Sequence, residues 1–363
     1  MRPLRVLIAG GGTGGHLYPG IAVARELLRR RPDAQITFAG TARGIEARVV
    51  PREGFALDLL RSSGLKGTSI AAGVKGLALL PLSGLDAWRI LSRRTPDLVA
   101  GVGGYSSGPV VLAAVVRGIP TMLLEQNAVP GFTNRSLARL VSAAAVTYES
   151  TASYFPRRSI VTGNPVRPEF FAGSTASPAS VAGRPRVLIF GGSQGAHAIN
   201  VAMVEAAPRL AAHPGGMAIT HQTGEREVDM VREGYRRAGL DARVEPFLYA
   251  MDREMSDADL VVCRAGATTL AELTASGRAA VLVPLPTATD DHQRRNAEAL
   301  AREGAAEVVE QRGLTGDVLA ARIIALATDP QRRAGMSAAA RRLARPDAAA
   351  AIVTKLLELI AES

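Results

Sequence analysis

Residues 5–16 read RVLIAGGGTGGH, and this stretch decides the fold class of the chain. The apolar run at 5–8 predicts a short strand, and the glycines that follow predict a loop that leads into a helix. The arrangement returns 181 residues later, where residues 186–195 read RVLIFGGSQG. A strand that ends in a glycine loop before a helix opens a nucleotide-binding βαβ unit. Two copies predict two Rossmann-like domains in tandem.

Short apolar runs alternate with helical stretches along both halves of the chain. We predict strands at 35–39, 98–102, 121–124 and 143–146, with helical segments at 21–30 and 136–140. In the second half we predict strands at 187–190, 218–222, 260–263 and 280–283. This alternation predicts an α/β fold with doubly wound parallel sheets. We expect domains at 1–163 and 164–345, a linker at 173–185, and a final helix at about 346–361 that is able to pack back onto the first domain.

The composition excludes several classes of protein. Of the 363 residues, 47% are hydrophobic and 21% are charged, which is typical of a globular protein and excludes a disordered chain. The single cysteine, Cys263, excludes a disulfide framework and a cysteine zinc site, and it fits a reducing cytoplasm. Apolar stretches such as 110–116 are far shorter than the ~18 residues of a membrane span. We therefore expect no secretory signal and no span, in a protein that is soluble or peripheral to a membrane.

The net charge of +10 is unevenly distributed along the chain. Residues 1–163 contain 20 basic and 9 acidic side chains, whereas residues 164–363 contain 23 basic and 24 acidic ones. An arginine-rich composition explains the total but not this asymmetry. The first half is therefore expected to meet a membrane surface, a phosphorylated substrate or nucleic acid. Nucleic acid is the weakest candidate, because only 4% of the residues are aromatic and no basic–aromatic motif is present.

Three glycine loops follow predicted strands, at 10–15, 101–109 and 191–195. One such loop indicates little, because glycine also serves close packing of a helix on a strand. Three in tandem α/β domains indicate phosphate-bearing ligands, which backbone N–H groups bind. The first loop matches GxGxxG, but the next strand ends in Gly40 to Arg43 without the acid that binds an NAD ribose, and no GxxxxGK[ST] motif occurs. A dinucleotide site and a P-loop NTPase are therefore disfavoured.

Polar side chains beside these loops are candidates for chemistry. His16 follows the first loop, and its ordinary pKa near neutrality suits a general base, although a histidine there also serves packing or phosphate binding. The triplet at 125–127 follows a strand where ligand-contacting side chains are expected, or it forms a capping loop. Glu272 is placed to accept hydrogen bonds from ribose hydroxyls while Gly266 to Thr269 line a phosphate. Alternatively, a glutamate near the start of a helix only interacts favourably with the positive end of the helix dipole.

Two acidic clusters have the residue types of a metal site, and we expect a metal at neither. Asp257 and Asp259 precede a strand, at the end away from the glycine loops. Residues 290–292 read Asp-Asp-His but have no partner cluster elsewhere in the sequence.

Taken in order, the motifs resemble those of the MurG family, the peptidoglycan N-acetylglucosaminyltransferases of glycosyltransferase family 28. The resemblance covers nearly the whole chain and rests on GGTGGH at 11–16, GGY at 103–105, EQN at 125–127, GNPVR at 163–167, GGSQG at 191–195 and DHQ at 291–293. One departure is Leu124, where the family usually has histidine. The resemblance implies the GT-B fold, in which two Rossmann-like domains face a central cleft.

The resemblance also implies the reaction and its site. The enzyme would transfer GlcNAc from UDP-GlcNAc to the C4 hydroxyl of the N-acetylmuramoyl unit of lipid I, with inversion and without a cofactor or metal, giving lipid II and UDP. In the second domain, Phe247 and Leu248 would lie beside uracil and Glu272 would bind the ribose. The other implied donor contacts are Thr13, Gly14, Gly15, Asn127, Arg167, Ser193, Gly266, Ala267, Thr268, Thr269 and Gln293. The acceptor diphosphate would meet Gly11, Gly12, Gly103, Gly104 and Tyr105.

Direct displacement at the anomeric carbon requires a base on the acceptor hydroxyl and stabilisation of the departing UDP. The base is His16 or Glu125, and the sequence leaves both open. Helix N-termini, Ser193 and Arg167 would take the developing charge. Rival interpretations are a UDP-GlcNAc 2-epimerase or a glycolipid glycosyltransferase of the same fold, and a non-catalytic UDP-GlcNAc sensor.

A lipid-linked acceptor explains the basic first half. Apolar side chains and cations intermix over 66–94, which predicts a peripheral docking surface for the cytoplasmic face of an anionic membrane, each cation contributing ~1 kcal/mol. A core helix with solvated flanks is the alternative. Other cell-wall synthesis proteins are candidate partners. The residues of this segment are Lys66, Ile70, Val74, Lys75, Leu77, Leu79, Leu80, Leu82, Leu85, Trp88, Arg89, Arg93 and Arg94.

Overall fold

A computed structural model describes residues 2–62, 70–156, 158–172, 184–192, 195–288 and 291–362, with the side chains of 70–78 and 80 outside the description. The chain forms two compact units. The first unit comprises residues 1–166 together with 345–363, and the second comprises 167–344. The boundary predicted near residue 163 thus lies close to the division after 166, and the C-terminal segment belongs to the first unit.

The first unit is built on a seven-stranded parallel sheet with the order β3-β2-β1-β4-β5-β6-β7. Its strands are β1 (Arg5–Gly10), β2 (Gln35–Gly40), β3 (Ala56–Leu59), β4 (Leu98–Gly103), β5 (Thr121–Glu125), β6 (Ala143–Val146) and β7 (Ser159–Val161). Its helices are α1 (Gly14–Arg30), α2 (Glu46–Arg52), α3 (Ile70–Arg94), α4 (Ser107–Val116), α5 (Phe132–Leu137), α6 (Glu149–Ala152) and the C-terminal α15 (Ala348–Ala361).

The second unit repeats this topology on a six-stranded parallel sheet with the order β10-β9-β8-β11-β12-β13. Its strands are β8 (Arg186–Phe190), β9 (Ala218–Gln222), β10 (Ala242–Glu245), β11 (Leu260–Cys263), β12 (Ala279–Leu282) and β13 (Ala306–Val308). Its helices are α7 (Glu169–Ala172), α8 (His197–Ala211), α9 (Val228–Ala238), α10 (Met251–Asp257), α11 (Ala267–Ser276), α12 (His292–Arg302), α13 (Gly316–Ala327) and α14 (Pro330–Leu343). The predicted α/β class with two doubly wound parallel sheets is confirmed.

Alternate residues of β1 pack into different cores, one on each face of the first sheet. Ile8 belongs to the cluster that contains Ile21 of α1 and Leu356 of α15. Leu7 belongs to the opposite cluster, which contains Leu91 of α3 and Val111 of α4. Because side chains of a strand alternate between its faces, a strand covered on both sides is apolar throughout. The C-terminal helix α15 is therefore an integral part of the first core.

In each unit an aspartate side chain accepts a hydrogen bond from the first residue of the central strand. The Asp97 carboxylate accepts a hydrogen bond from the Arg5 backbone N–H at 2.8 Å, and Asp259 accepts one from Arg186 N–H at 2.8 Å. Asp257 lies 3.8 Å from the Arg186 guanidinium. The pair at 257 and 259 thus secures the amino end of the central strands, as expected of residues remote from the glycine loops.

Differences from the predicted elements lie at the edges of the sheets. Four strands without a sequence prediction, β3, β7, β10 and β13, are the two edges of each sheet. The helix predicted at 136–140 is wrong in position, because α5 begins after Gly131 and ends at Leu137. Of the linker predicted at 173–185, residues 173–183 lie outside the described part of the chain.

Candidate functional site

The strand order reverses between β1 and β4 in the first unit and between β8 and β11 in the second. Ligands of doubly wound sheets bind beyond the carboxyl ends of the strands at this switch point. Helices α1 and α4 begin beside the first reversal, and α8 and α11 begin beside the second. Each switch point therefore presents two helix N-termini, whose positive dipole ends attract phosphate.

In the first unit, two of the predicted glycine loops pack directly against each other. The Gly11 N–H donates to the Gly103 carbonyl at 3.3 Å. A Cβ atom on Gly104 would overlap the Gly11 carbonyl oxygen, and one on Gly10 would lie 2.5 Å from the Gly103 oxygen. Both Gly103 and Gly104 also have positive φ, at 94° and 84°. These glycines are thus required for loop packing, whatever they do for a ligand.

A buried carboxylate that the sequence analysis did not single out organises the first loop. The Glu46 carboxylate accepts hydrogen bonds from the Gly12 N–H at 2.7 Å and from the N–H and hydroxyl of Thr41 at 2.8 and 2.9 Å. A Cβ atom on Gly11 or Gly44 would overlap it. The Gly12 N–H predicted to meet the acceptor diphosphate is therefore already donated to the protein's own carboxylate.

His16 lies in the first turn of α1, with its imidazole against Gly103. A Cβ atom on Gly103 would lie 2.7 Å from His16 Nδ1, so glycine makes room for the ring. The same Nδ1 lies 3.4 Å from Oε1 of Gln126. Gln126 is buried, and its Nε2 donates to the Val102 carbonyl at 3.1 Å. The loops at 10–15 and 101–109 and the triplet at 125–127 thus meet at His16.

Glu125, the other candidate base, is buried in a different environment. One carboxylate oxygen accepts hydrogen bonds from the Asn127 N–H and amide at 2.9 and 3.2 Å. The other accepts from the Gly131 N–H at 3.1 Å and the Asn134 amide at 2.9 Å. Burial raises the pKa of Glu125, and these hydrogen bonds oppose the rise. Its carboxylate and the predicted donor contact Asn127 hold the loop that follows β5.

The remaining predicted residues of the first unit lie at its surface. Thr13 is the exposed N-cap residue of α1, and Gly14 and Gly15 form the start of the helix. The Tyr105 side chain, in the loop at 101–109, is 53% exposed. A helix N-terminus with an adjacent hydroxyl and phenol is suited to contact a phosphorylated sugar.

In the second unit, Gln222 connects the glycine loop to the predicted uracil contacts. Its Nε2 donates to the Gly192 carbonyl at 2.8 Å, and its Oε1 accepts from the Leu248 N–H at 3.1 Å. The Leu248 side chain is buried, whereas Phe247 is partly exposed and packs edge-on against Tyr249. Phe247 therefore offers the aromatic surface here. Ser193 lies outside the described residues.

The start of α11 carries the predicted phosphate and ribose contacts. Gly266 is its N-cap, Ala267, Thr268 and Thr269 form its first turn, and Glu272 follows on the second turn. Burial raises the pKa of Glu272 to about 7, the Arg167 guanidinium opposes this rise, and Asp252 adds to it. Arg167 also lies over the Phe170 ring at 5.0 Å. The helix start and Glu272 thus form one polar surface next to a cation.

Gln293 holds two loops of the second unit together. Its Oε1 accepts from the Leu285 N–H at 3.0 Å and from the Ala265 N–H at 3.3 Å, so it ties the segment after β12 to the segment after β11. Asp291, with φ of 55°, precedes α12 without a capping hydrogen bond from its side chain, and it pairs with Arg294 at 2.5 Å. Within the described ranges, no three His, Cys, Asp or Glu side chains gather as a metal site requires, and Asp290 falls outside those ranges.

The sequence analysis also did not predict a network of buried polar side chains behind the glycine loop at 191–195. His221 Nδ1 lies 2.7 Å from the Tyr235 hydroxyl, and its Nε2 lies 3.1 Å from Asn200 Oδ1. Asn200 donates its amide to the Thr223 carbonyl at 2.9 Å, against which Gly195 packs. Burial lowers the pKa of His221 to about 3, so it is neutral. These contacts fix the loop against the sheet, and the sequence signal was only the polar run at 221–223.

Both units are similar to domains of known glycosyltransferases. Residues 6–146 match the model of the glycosyltransferase family 28 N-terminal domain, and residues 186–352 match that of the family 28 C-terminal domain. The chain is 49% identical over 98% of its length, and 93% of the relative's, to an Anaeromyxobacter UDP-N-acetylglucosamine--N-acetylmuramyl-(pentapeptide) pyrophosphoryl-undecaprenol N-acetylglucosamine transferase. It is 32% identical to the crystal structure of MurG from Acinetobacter baumannii, with a TM-score of 0.78 over 98% of this chain and 100% of that one. A UDP-GlcNAc 2-epimerase from Neisseria meningitidis is 16% identical, with a TM-score of 0.68 over 99% and 100%, a likeness of fold alone.

Proposed function

We propose, from the premise that the chain belongs to glycosyltransferase family 28, that it transfers N-acetylglucosamine from UDP-N-acetylglucosamine to lipid I. The acceptor is the C4 hydroxyl of the N-acetylmuramyl sugar, and the products are lipid II and UDP, with inversion at the anomeric carbon. The observation that carries this proposal is the near full-length similarity to a transferase named for that donor and acceptor.

The donor binds the second unit in this proposal. Glu272 accepts hydrogen bonds from ribose hydroxyls, and Phe247 packs against uracil. The N-termini of α8 and α11 lie beside the diphosphate, where their dipoles stabilise the charge that develops as UDP departs. Arg167 adds a full positive charge beside Glu272. The loop residue Ser193 keeps its role as a predicted diphosphate contact.

His16 is the proposed general base for the acceptor hydroxyl. A base must be able to take a proton from the substrate hydroxyl, and a neutral imidazole has a ring nitrogen whose lone pair accepts one. Glu125 is less suited, because four hydrogen bonds from the loop at 127–134 already engage its two oxygens. Tyr105 and Thr13 flank the same loops and are proposed acceptor and donor contacts.

The proposed membrane surface is the exposed apolar face of α3 and α4. Leu82, Leu85 and Trp88 of α3 and Leu112 and Val116 of α4 are exposed. Exposed apolar side chains on two packed helices, with cations nearby, are typical of a surface that docks on lipid. No helix in the described part of the chain has the length and apolarity needed to cross a membrane.

The cations that border this surface differ from those expected from the sequence. Arg93 and Arg94 both bind the buried Asp58 carboxylate at 2.7 Å, so their positive charge is partly balanced within the protein. Arg117 of the neighbouring loop instead lies over the Trp88 ring at 5.0 Å. The proposed rim therefore includes Arg89 and Arg117. Lys66 and the side chain of Lys75 lie outside the description.

The test is the transfer of labelled GlcNAc from UDP-GlcNAc to a lipid I analogue in the presence of excess EDTA. We expect label in a disaccharide-containing lipid, which establishes donor, acceptor and metal independence together. Activity only after addition of a divalent metal would contradict the metal-free mechanism and implicate Asp290 to His292. Bound UDP-GlcNAc without transfer would overturn the proposal, and conversion of UDP-GlcNAc to UDP-ManNAc would then identify an epimerase.

A further inference from the structure

We propose that Gln126 is a positioning residue that fixes His16 in the tautomer with the proton on Nδ1. This inference rests on the base role proposed for His16, which it deepens. Gln126 carries no predicted role of its own, although it lies at the centre of the triplet at 125–127. It is 2% exposed, and both ends of its amide have a defined neighbour in the first unit.

The orientation of the Gln126 amide follows from the backbone. Its Nε2 lies 3.1 Å from the Val102 carbonyl oxygen, which accepts hydrogen bonds and cannot donate them. The amide nitrogen must therefore face Val102, because the reverse orientation would place two oxygens together in a buried site. As a consequence Oε1 faces His16 Nδ1, at 3.4 Å.

This orientation selects one form of the imidazole. A carboxamide oxygen only accepts hydrogen bonds, so the favourable partner is a protonated Nδ1. In neutral imidazole a proton on Nδ1 leaves the lone pair on Nε2, which is the nitrogen able to take a proton from a substrate hydroxyl. Gly103 supports the geometry, since any larger residue would displace Nδ1. A correctly held tautomer is worth orders of magnitude in rate in other histidine-dependent enzymes.

Two variants of Gln126 separate this role from packing. Both Gln126→Met and Gln126→Glu remove the amide that donates to Val102, but only Gln126→Glu keeps an oxygen that accepts from Nδ1. The primary readout is ¹⁵N NMR of the imidazole nitrogens, with the His16 signals assigned by their absence in His16→Ala. The other four histidines serve as internal references in the same spectra.

We expect the wild-type His16 to carry its proton on Nδ1, to lose that preference in Gln126→Met, and to regain it in Gln126→Glu. A proton on Nε2 in the wild type, or spectra unchanged in folded Gln126→Met, would overturn the proposal. If Gln126→Met fails to fold, Gln126→Ala, which also lacks an acceptor for Nδ1, takes its place in the same comparison with the same expected loss of preference.

Turnover distinguishes this proposal from the base role. We expect kcat to fall by about tenfold or more in Gln126→Met, with the donor KM unchanged. Gln126→Glu should recover turnover at high pH, because a carboxylate beside the ring raises the His16 pKa. A shifted tautomer with unchanged kcat would support the role of Gln126 and would instead overturn the base role of His16.

Discussion

The two units of this chain share a scaffold and differ in what they place on it. Both have the same central strand order, a pair of helices that begin at the switch point, and an aspartate that secures the first central strand. In the first unit the loops at the switch point pack glycine against glycine, and the Glu46 carboxylate accepts a hydrogen bond from the Gly12 N–H. In the second unit an amide, Gln222, spans from the glycine loop to Leu248.

The surfaces of the two units differ as well. The excess of positive charge lies entirely within residues 1–163. Eleven of the fifteen large apolar side chains that are exposed in the described part of the chain also belong to the first unit. The duplicated topology therefore explains why both units present helix N-termini that suit phosphate. The side chains around these N-termini and on the surface differ, and on them rests our proposal that the first unit meets the lipid-linked acceptor and the second binds UDP-GlcNAc.

The largest expected effect separates the base from donor binding. We expect His16→Ala to lower kcat by roughly 10²- to 10⁴-fold, because the acceptor hydroxyl loses its general base. Donor affinity, measured by titration with UDP, should stay within about twofold because the donor contacts remain intact. Surviving turnover at saturation with collapsed UDP affinity would make His16 a binding residue.

The next effect tests the buried carboxylate that is particular to the first unit. Glu46→Ala should lower the free energy of unfolding by about 3 kcal/mol, because it leaves the Gly12 and Thr41 N–H groups without their acceptor. Chemical denaturation monitored by circular dichroism measures this change. The control is Glu53→Ala, which removes only a surface ion pair with Arg25 and should cost less than about 1 kcal/mol. Equal losses in both variants would contradict the role given to Glu46.

Gln222 provides the corresponding test in the second unit. Gln222→Ala disconnects the Gly192 loop from Leu248, and we expect UDP affinity to fall about tenfold, equivalent to 1.4 kcal/mol. Turnover at saturating donor should change little. Isothermal titration with UDP and steady-state kinetics measure the two quantities, and a fall in kcat at unchanged affinity would assign Gln222 to the chemical step instead.

The raised pKa of Glu272 predicts a pH dependence of donor binding. With a pKa of about 7, this carboxyl is mostly protonated at pH 6 and mostly ionised at pH 8. Ribose hydroxyls donate best to the ionised form, so the Kd for UDP should rise by about tenfold as the pH falls from 8 to 6. Glu272→Gln cannot ionise and should give a weaker, nearly flat profile. A wild-type profile as flat as that of the variant would exclude Glu272 from ribose binding.

The smallest expected effect concerns the membrane surface. Trp88→Ser should weaken binding to vesicles containing anionic lipid by a few-fold, because it removes apolar area and the ring that supports Arg117. Val318→Ser is the control, since Val318 is also an exposed apolar side chain, at 38% against 46% for Trp88, but lies in the second unit. Similar losses from both variants in a vesicle sedimentation assay would contradict a surface confined to α3 and α4.

The elements and residues that could be predicted from the sequence are those whose pattern lies within a short stretch of the chain. The central strands were predictable because buried parallel strands are continuous apolar runs. The edge strands were not, because β3, β7 and β10 are mostly exposed or half-buried along their length and therefore lack an apolar run.

The same distinction applies to the site. His16 directly follows the glycine-rich motif at 10–15, and Glu272 follows the helix start at Gly266 to Thr269, so their positions are local signals. Glu46 is 34 residues from Gly12, whose N–H donates to its carboxylate, and Gln126 is 110 residues from His16. Such partners meet only when the sheet is formed. For this reason the sequence could not show whether His16 or Glu125 is the general base. The four hydrogen-bond donors around Glu125 are brought to it only when its loop folds.

A double-mutant cycle on His16 and Glu272 tests the proposed division of work between the units most directly. The measurement is kcat/KM for GlcNAc transfer to a lipid I analogue with the wild type, His16→Ala, Glu272→Ala and the double variant. If the first unit supplies the base and the second binds the donor, His16→Ala lowers kcat, Glu272→Ala raises the donor KM tenfold or more, and the free-energy effects add within about 0.5 kcal/mol. Two single variants that impair the same kinetic parameter, with a double variant no worse than either, would contradict the account.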